Sequence, residues 1–341
     1  MTTTLGLDVG GAHLKAALVD GARVRAVHQF ACPLWQGMDH LDAALAAMRS
    51  TLPAWSRAAV TMTGELSDLF PDRPTGVTTL VDRLDRELGP QAWFWMGRRG
   101  FGSAAEARAS PADVGSTNFL ATAVLVARLA PDALLVDLGS TTTDIIPVRS
   151  GTPTPRGLTD ADRQATGELV YTGFTRTAVM AVASRAPFRG AWVGLAREHL
   201  ATMADVRRIL GELPDDVDLH ATADGRGKSQ AESLVRFARL LGRDAAEGSV
   251  AEWRIAAEHV REAQVRSIHD GVLQVLSASV LPEAAPIVAA GIGWRVVAAL
   301  ALRVGRDCQP LGTLIGADRN VAAPATYAAP AVAVALLADR E

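Results

Sequence analysis

Residues 5–20 read LGLDVGGAHLKAALVD, and residues 134–148 repeat the same plan as LLVDLGSTTTDIIPV. In each, an apolar run ends in an Asp, a glycine stands two residues later, and a second apolar run returns. Short apolar runs around a tight turn fold as antiparallel hairpins. Residues 4–9 and 14–19 therefore predict two strands joined at Gly10 and Gly11, with a third strand near 23–30. The second hairpin restarts the same program, so two similar hairpins open two similar domains.

Working outward from the hairpins, MDHLDAALAAMRSTL at 38–52 has helical spacing of apolar residues, with Pro53 at its end. A buried strand is predicted at 58–63, a helix at 78–88 ended by Gly89-Pro90, a strand at 91–97 and a helix at 116–129. This alternation predicts α/β architecture, with sheets covered by helices. From about 195 to 270 the pattern turns helical, interrupted by the polar segment DLHATADGRGKSQAES at 218–233. A strand at 286–291, a Gly turn at 288–294 and two apolar helices complete the chain. The expected division is residues 1–130 and 131–341, the second unit carrying a helical insertion at about 195–280.

The chain has 341 residues, room for two ordinary domains. Its hydrophobic fraction of 49% and charged fraction of 21% are those of a folded globular protein. Lys plus Arg total 34 against 37 Asp plus Glu, a net charge of −3, and no basic run marks nucleic acid as a partner. Cys32 and Cys308 lie outside any C-x-x-C pattern, and the seven histidines show no H-x-x-x-H spacing, which argues against zinc and disulfides. The apolar stretches 285–305 and 322–338 are broken by Gly, Pro and Arg, so no membrane partner is expected. No export signal is read at the N-terminus, which sets the expectation of a cytoplasmic protein. The oligomeric state stays open.

Phosphate needs many close hydrogen-bond donors, and a Gly-rich turn offers backbone N–H groups that no Cβ holds at a distance. Gly10 and Gly11 meet that need, as do Gly139, Ser140, Thr141 and Thr142, whose hydroxyls add donors. One such motif is equally well an ordinary hairpin turn; two matched copies favour phosphate. Asp8 and Asp137 end apolar strands, where an ionised carboxylate without a partner is costly. Mg²⁺ bridging them to phosphate removes that cost.

Other candidates carry two readings each. Lys15, on the returning strand, faces either the cleft or solvent. Glu65 and Asp68 in TMTGELSD serve metal binding or proton transfer, or else cap a helix. Gly291 and Gly293 begin a dinucleotide-like turn, but Val296 holds the third glycine position. That turn receives a nucleoside or phosphate at a helix N-terminus, or it serves close helix–strand packing. Arg226, Lys228 and Ser229 in ADGRGKS close over an anionic substrate or form an exposed polar loop.

The paired hairpins with the later Gly turn resemble the ASKHA superfamily of acetate and sugar kinases, heat-shock ATPases, actin and hydantoinase/oxoprolinase proteins. The resemblance spans nearly the whole chain and places the superfamily's phosphate-1, phosphate-2 and adenosine motifs at 8–15, 137–144 and 288–294. It implies two actin-like, ribonuclease H-like α/β domains around a central cleft, with a mainly helical insertion. More narrowly, TMTGELSDLF, STNFLATA, TGELVYTGFTRT, ATMADVRRILGELPDDVDLHATADGRGKS and GADRNVAAPA resemble the hydantoinase/oxoprolinase-like proteins of tetrahydromethanopterin-linked one-carbon metabolism. That group includes methanofuran-biosynthesis enzymes, and similar bacterial members serve methylofuran.

What this narrower resemblance implies is a Mg-dependent transferase. Its partners would be an aminomethyl-furan-methyl pyrophosphate and a phenolic glutamyl acceptor. Asp8 and Asp137 would hold Mg²⁺, the two turns would hold the leaving pyrophosphate, and Glu65 would act as base. ATP would then be unnecessary. The superfamily motifs alone imply other functions: an ATP-dependent small-molecule kinase, an oxoprolinase-like amide hydrolase, or an actin-type nucleotide-gated scaffold.

Overall fold

The computed structural model describes residues 3–339. Strands β1 (Thr3–Val9), β2 (His13–Asp20) and β3 (Arg23–Ala31) form an antiparallel meander. Strands β4 (Arg57–Met62) and β5 (Ala92–Trp95) then extend the sheet parallel to β1, and β6 (Phe101–Gly102) closes its edge. The strand order is β3-β2-β1-β4-β5-β6. β1 is buried from Thr4 to Val9 because helices cover both faces of the sheet. That double cover is why it reads as a continuous apolar run rather than an alternating one.

The second sheet repeats the plan. Strands β7 (Ala133–Leu138) and β8 (Thr143–Arg149) form its hairpin, flanked by the short strands β9 (Thr152–Pro153) and β10 (Leu169–Val170). Beyond a separate hairpin of β11 (Arg185–Phe188) and β12 (Ala191–Gly194), strands β13 (Ile287–Ala290) and β14 (Cys308–Pro310) join it in parallel. The order is β10-β8-β7-β13-β14, with β9 paired to β8. The likeness of the hairpins extends to single residues. Asp8 pairs across to Lys15 and Asp137 to Asp144. The Gly10 amide donates to the His13 carbonyl at 2.9 Å, and the Gly139 amide to that of Thr142 at 3.0 Å.

One apolar layer lies between the sheets. It joins Ala17 and Ala59 of the first to Leu135, Ile146 and Val288 of the second through the helices Asn118–Leu129 and Ala329–Ala338. The last helix, assigned from sequence to the 131–341 unit, lies against β1, β2 and β4 of the first sheet. Gly6 permits this approach, since a Cβ there would stand 2.0 Å from the Ala331 carbonyl oxygen.

The inserted segment has its own core around Trp253, Phe237, Phe188 and Met203. Its helices are Met203–Leu210, Gln230–Leu240 and Val250–Ala278. It also carries the β11–β12 hairpin, which the sequence reading missed because four-residue strands are too short to show a period. The helix predicted at 78–88 begins earlier, at Arg73, where the Asp72 side chain accepts the Thr75 amide at 2.8 Å. Among the described residues no single helix is long and apolar enough to cross a membrane; the pair Arg319–Tyr327 and Ala329–Ala338 bends by 106°.

Candidate active site

The two hairpin turns face a shared cavity of about 430 Å³ between the sheets. Its acidic lining residues are Asp8, Asp68, Asp137, Asp144 and Asp160; its basic ones are Lys15, Arg163 and Arg176. Five acids against three bases leave the wall short of positive charge.

The pairing of these charges sharpens the shortage. Lys15 Nζ donates to Asp8 Oδ2 at 3.4 Å, while the buried Asp8 Oδ1 has no partner among the described residues. Burial raises the Asp8 pKa against the opposing pull of Lys15 and Asn118. Asp137 is pushed up to about 7, first by burial and then by Asp144, with Asp8 adding to the rise and Lys15 opposing it. Asp144 holds an ion pair with the buried Arg163, yet burial still raises its pKa. Carboxylates in this state gain from a cation.

Among the described residues no group of three His, Cys, Asp or Glu side chains forms a metal cage. Mg²⁺ does not need one, since it is commonly held by one or two carboxylates plus waters and phosphate oxygens. The free Asp8 Oδ1 and the crowded Asp137 fit that donor set.

The second turn is clamped from behind. The carbonyl of Gly139 accepts from the Phe174 amide at 2.8 Å, and that of Ser140 from the Arg176 amide at 2.9 Å. Gly173 makes the clamp possible, because a Cβ there would lie 2.3 Å from the Thr141 nitrogen. With its carbonyls turned to the 173–176 segment, the turn has the Ser140 and Thr141 amides left for a ligand. No acceptor for either is found among the described residues.

Gly10, Gly11, Gly139, Ser140, Thr141 and Thr142 line the cavity, and so does Lys15, the first of its two readings. Six other candidates do not. Arg226 is 65% exposed beside Asp224, and Lys228 donates to the Asp218 carbonyl at 2.6 Å. Ser229 caps the helix Gln230–Leu240. Gly291 and Gly293 press the turn after β13 against β7. Added Cβ atoms would stand 2.2 Å from the Leu138 carbonyl oxygen and 2.4 Å from its side chain. Of their two readings, close packing is the one the geometry supports. Glu65 sits just behind the wall, 2% exposed, with burial pushing its pKa up to about 7. Its Oε1 accepts from Ser116 Oγ at 2.6 Å, and Ser116 lines the cavity.

Sequence reasoning left several lining residues without a role. Asn118 opens the helix Asn118–Leu129 within STNFLATA, and Arg176 lies in TGFTRT. Arg176 donates to Thr141 Oγ1 at 3.3 Å and stacks 4.8 Å over the Trp35 ring. Among the described residues it has no acidic partner, unlike Lys15 and Arg163. Trp35 and His13 also line this end, and His220, from the 218–233 segment, packs 4.6 Å from His13 and 5.4 Å from Trp35. Burial lowers the pKa of both histidines, His13 well below the usual value. For Asn118, Arg176 and His220 the local signal was their place inside the stretches that carry the family resemblance; Trp35 lies outside all of them.

A second cavity of about 520 Å³ lies between residues 211–214 and the helix Trp294–Arg303. Most of its charge is already paired: Arg207 and Arg261 each reach Glu212 at 2.6 Å, and Arg303 reaches Glu262 at 3.0 Å.

Two sheets of one plan, each opening on an Asp-bearing hairpin and sharing a helical layer beneath an acidic cleft, define an ASKHA-type fold. The solved nucleotide-free structure of acetone carboxylase has this fold, with a TM-score of 0.62 at 12% identity over 98% of this chain and 70% of that one. The hydantoinase/oxoprolinase family matches residues 57–311, and the chain belongs to that family. It is 33% identical over 241 residues to the (4-{4-[2-(gamma-L-glutamylamino)ethyl]phenoxymethyl}furan-2-yl)methanamine synthase of Methanocaldococcus jannaschii, covering 70% of this chain and 72% of that protein. The enzyme of the same name from Methanococcus vannielii is 31% identical over 113 residues, 33% of this chain and 50% of that protein.

Proposed function

We propose that this chain forms the ether bond of a methanofuran-type cofactor. It moves an aminomethyl-furan-methyl group from its pyrophosphate ester to the phenol oxygen of a glutamylated tyramine or tyrosine. The observation that carries this reading is the product named for both relatives, a phenoxymethylfuran whose central bond joins a phenol oxygen to a furylmethyl carbon.

Making that bond by substitution requires a leaving group on the carbon and a home for the charge it carries away. The cleft supports such a role: Ser140 and Thr141 of the second turn, Lys15, and Arg176, which has no acidic partner among the described residues, all line one cavity. Asp8 and Asp137 would hold Mg²⁺, which when bound neutralises charge on the pyrophosphate oxygens. The C–O bond to pyrophosphate breaks and the pyrophosphate leaves with the electron pair, while the phenol oxygen bonds to the methylene. The furan spreads positive charge from that methylene, so the protein's work is positioning and screening.

The test is direct. Purified protein with Mg²⁺, the furan-methyl pyrophosphate and γ-glutamyltyramine is expected to give the ether and one equivalent of pyrophosphate, equally with and without ATP. Turnover that requires ATP would replace this reading with the kinase or hydrolase one, and no product under either condition would end it.

A further inference from the structure

Glu65 is a buried carboxylate with very little holding it. Its only side-chain donor is Ser116 Oγ at 2.6 Å, and Oε2 has no partner among the described residues. Glu168, buried to the same degree, shows how this fold satisfies a structural carboxylate. It accepts from the Arg156 amide at 2.7 Å, the Gly157 amide at 3.0 Å and Thr166 Oγ1 at 2.9 Å.

The chain is also built closely around Glu65. A Cβ on Gly76 would lie 2.9 Å from its Cα, and one on Gly115 would lie 3.0 Å from Oε1. Ser116 itself takes a left-handed backbone with φ 55°, uncommon for a residue other than glycine. It is 5% exposed and lines the cavity. A strained serine thus stands between the cavity and a carboxylate that reaches no substrate directly.

We infer that Ser116 takes the phenolic proton of the acceptor and passes its own hydroxyl proton to Glu65, which is the proton store of the site. This rests on the ether-forming reading above. As the phenol oxygen bonds to the methylene and pyrophosphate leaves, the phenol O–H proton moves to Ser116 Oγ. The Ser116 proton moves to Glu65 Oε1, and Glu65 ends neutral; after product release the proton passes back through Ser116 Oγ to water entering the cavity, which leaves Glu65 ionised for the next turnover. Burial suits Glu65 to this role near neutral pH. The charged groups bearing on it are Arg73, which favours its ionised form, and Asp160, which opposes it. Asp113, on the segment that carries Ser116, is paired with Arg99. Glu65 is a positioning residue here, since it acts through Ser116.

The experiment compares wild type with Ser116→Gly, which suits the left-handed backbone, and Glu65→Gln. In wild type, kcat is expected to rise with pH through about 7. Both variants are expected to lose about 10²-fold in kcat, to lose that pH limb, and to keep KM for the furan pyrophosphate. A ring-fluorinated acceptor, whose phenol ionises without help, is expected to restore their rates. Wild type that makes no ether would sink the function reading. Active wild type with variants that keep both rate and pH limb would overturn the relay alone, and so would a loss the acidic phenol does not restore.

Discussion

Asp8 and Asp137 hold the same station in two hairpins but face opposite neighbours, Lys15 in one and Asp144 in the other. This difference makes Asp137 the more sensitive of the two. Its pKa of about 7 in the folded chain stands above the ordinary 3.8, so the folded state favours the proton. Its contribution to stability is therefore lost as pH rises from about 4 to about 7, and a bound cation offsets the loss above that range. Mg²⁺ is accordingly expected to raise the melting temperature more at pH 8 than at pH 5.5, and Asp137→Asn to remove most of the difference. Equal shifts at both pH values would argue against Mg²⁺ at this carboxylate. Asp8→Asn and Asp137→Asn are each expected to lower turnover at least ~10²-fold with an unchanged circular dichroism spectrum.

Arg176→Ala should raise KM for the pyrophosphate substrate about tenfold or more, as expected when a charge-assisted contact is removed. Arg226→Ala and Lys228→Ala should leave turnover within about twofold, because neither residue lines the cavity and surface changes of this kind cost little. Steady-state kinetics on the three variants checks both statements. The contrast also shows what the sequence could convey. The hairpin aspartates and glycines were legible because strand, turn and strand are local. Arg176 and Asn118 were not, since they reach the cavity only through the packing of segments distant in sequence.

At the scale of elements, most strands and helices were legible from period and punctuation, but their partners were not. The helix Ala329–Ala338 shows why. All ten of its residues are buried, so it has no polar face to say which side meets which sheet. Its docking on β1 is instead recorded at the far end of the chain, in Gly6, where any side chain would strike Ala331 and Ala335. Gly6→Val is expected to destabilise the fold by about 1–3 kcal/mol through overpacking. Urea unfolding would read this as a lower midpoint at constant slope. An unchanged midpoint would mean that the helix can shift away from the sheet at no cost.

At the scale of the molecule, two similar units followed from the repeated hairpin and the cleft between them from the family resemblance, but how the halves are tied together did not. Besides the shared apolar layer, polar and aromatic ties reach across long stretches of sequence. Arg73 meets Asp160 at 3.0 Å, Gln29 donates to the Val217 carbonyl at 3.3 Å, and His220 packs on His13 and Trp35. The ion pair involves a half-exposed arginine, and such pairs contribute at most about 1 kcal/mol. The aromatic contact is the more buried one, and it places the 218–233 segment over the Trp35 end of the cavity. Of the two readings of Arg226 and Lys228 in that segment, the exposed polar loop is the one their surroundings fit, and it is His220 of the same segment that packs on the lining residues His13 and Trp35. If the contact holds the halves in their binding geometry, its loss should act on binding before chemistry, because it meets the first hairpin at His13 and includes neither Asp8, Asp137 nor Ser116. His220→Ala is thus expected to raise KM for both substrates several-fold while kcat changes less, and Arg73→Ala to change either by less than about fivefold. Hydrogen exchange should report the same event as faster exchange in β3 and in residues 217–228 of the His220→Ala protein. A fall in kcat at constant KM would instead place His220 in the chemical step, and the cleft would then owe its closure to the shared helical layer alone.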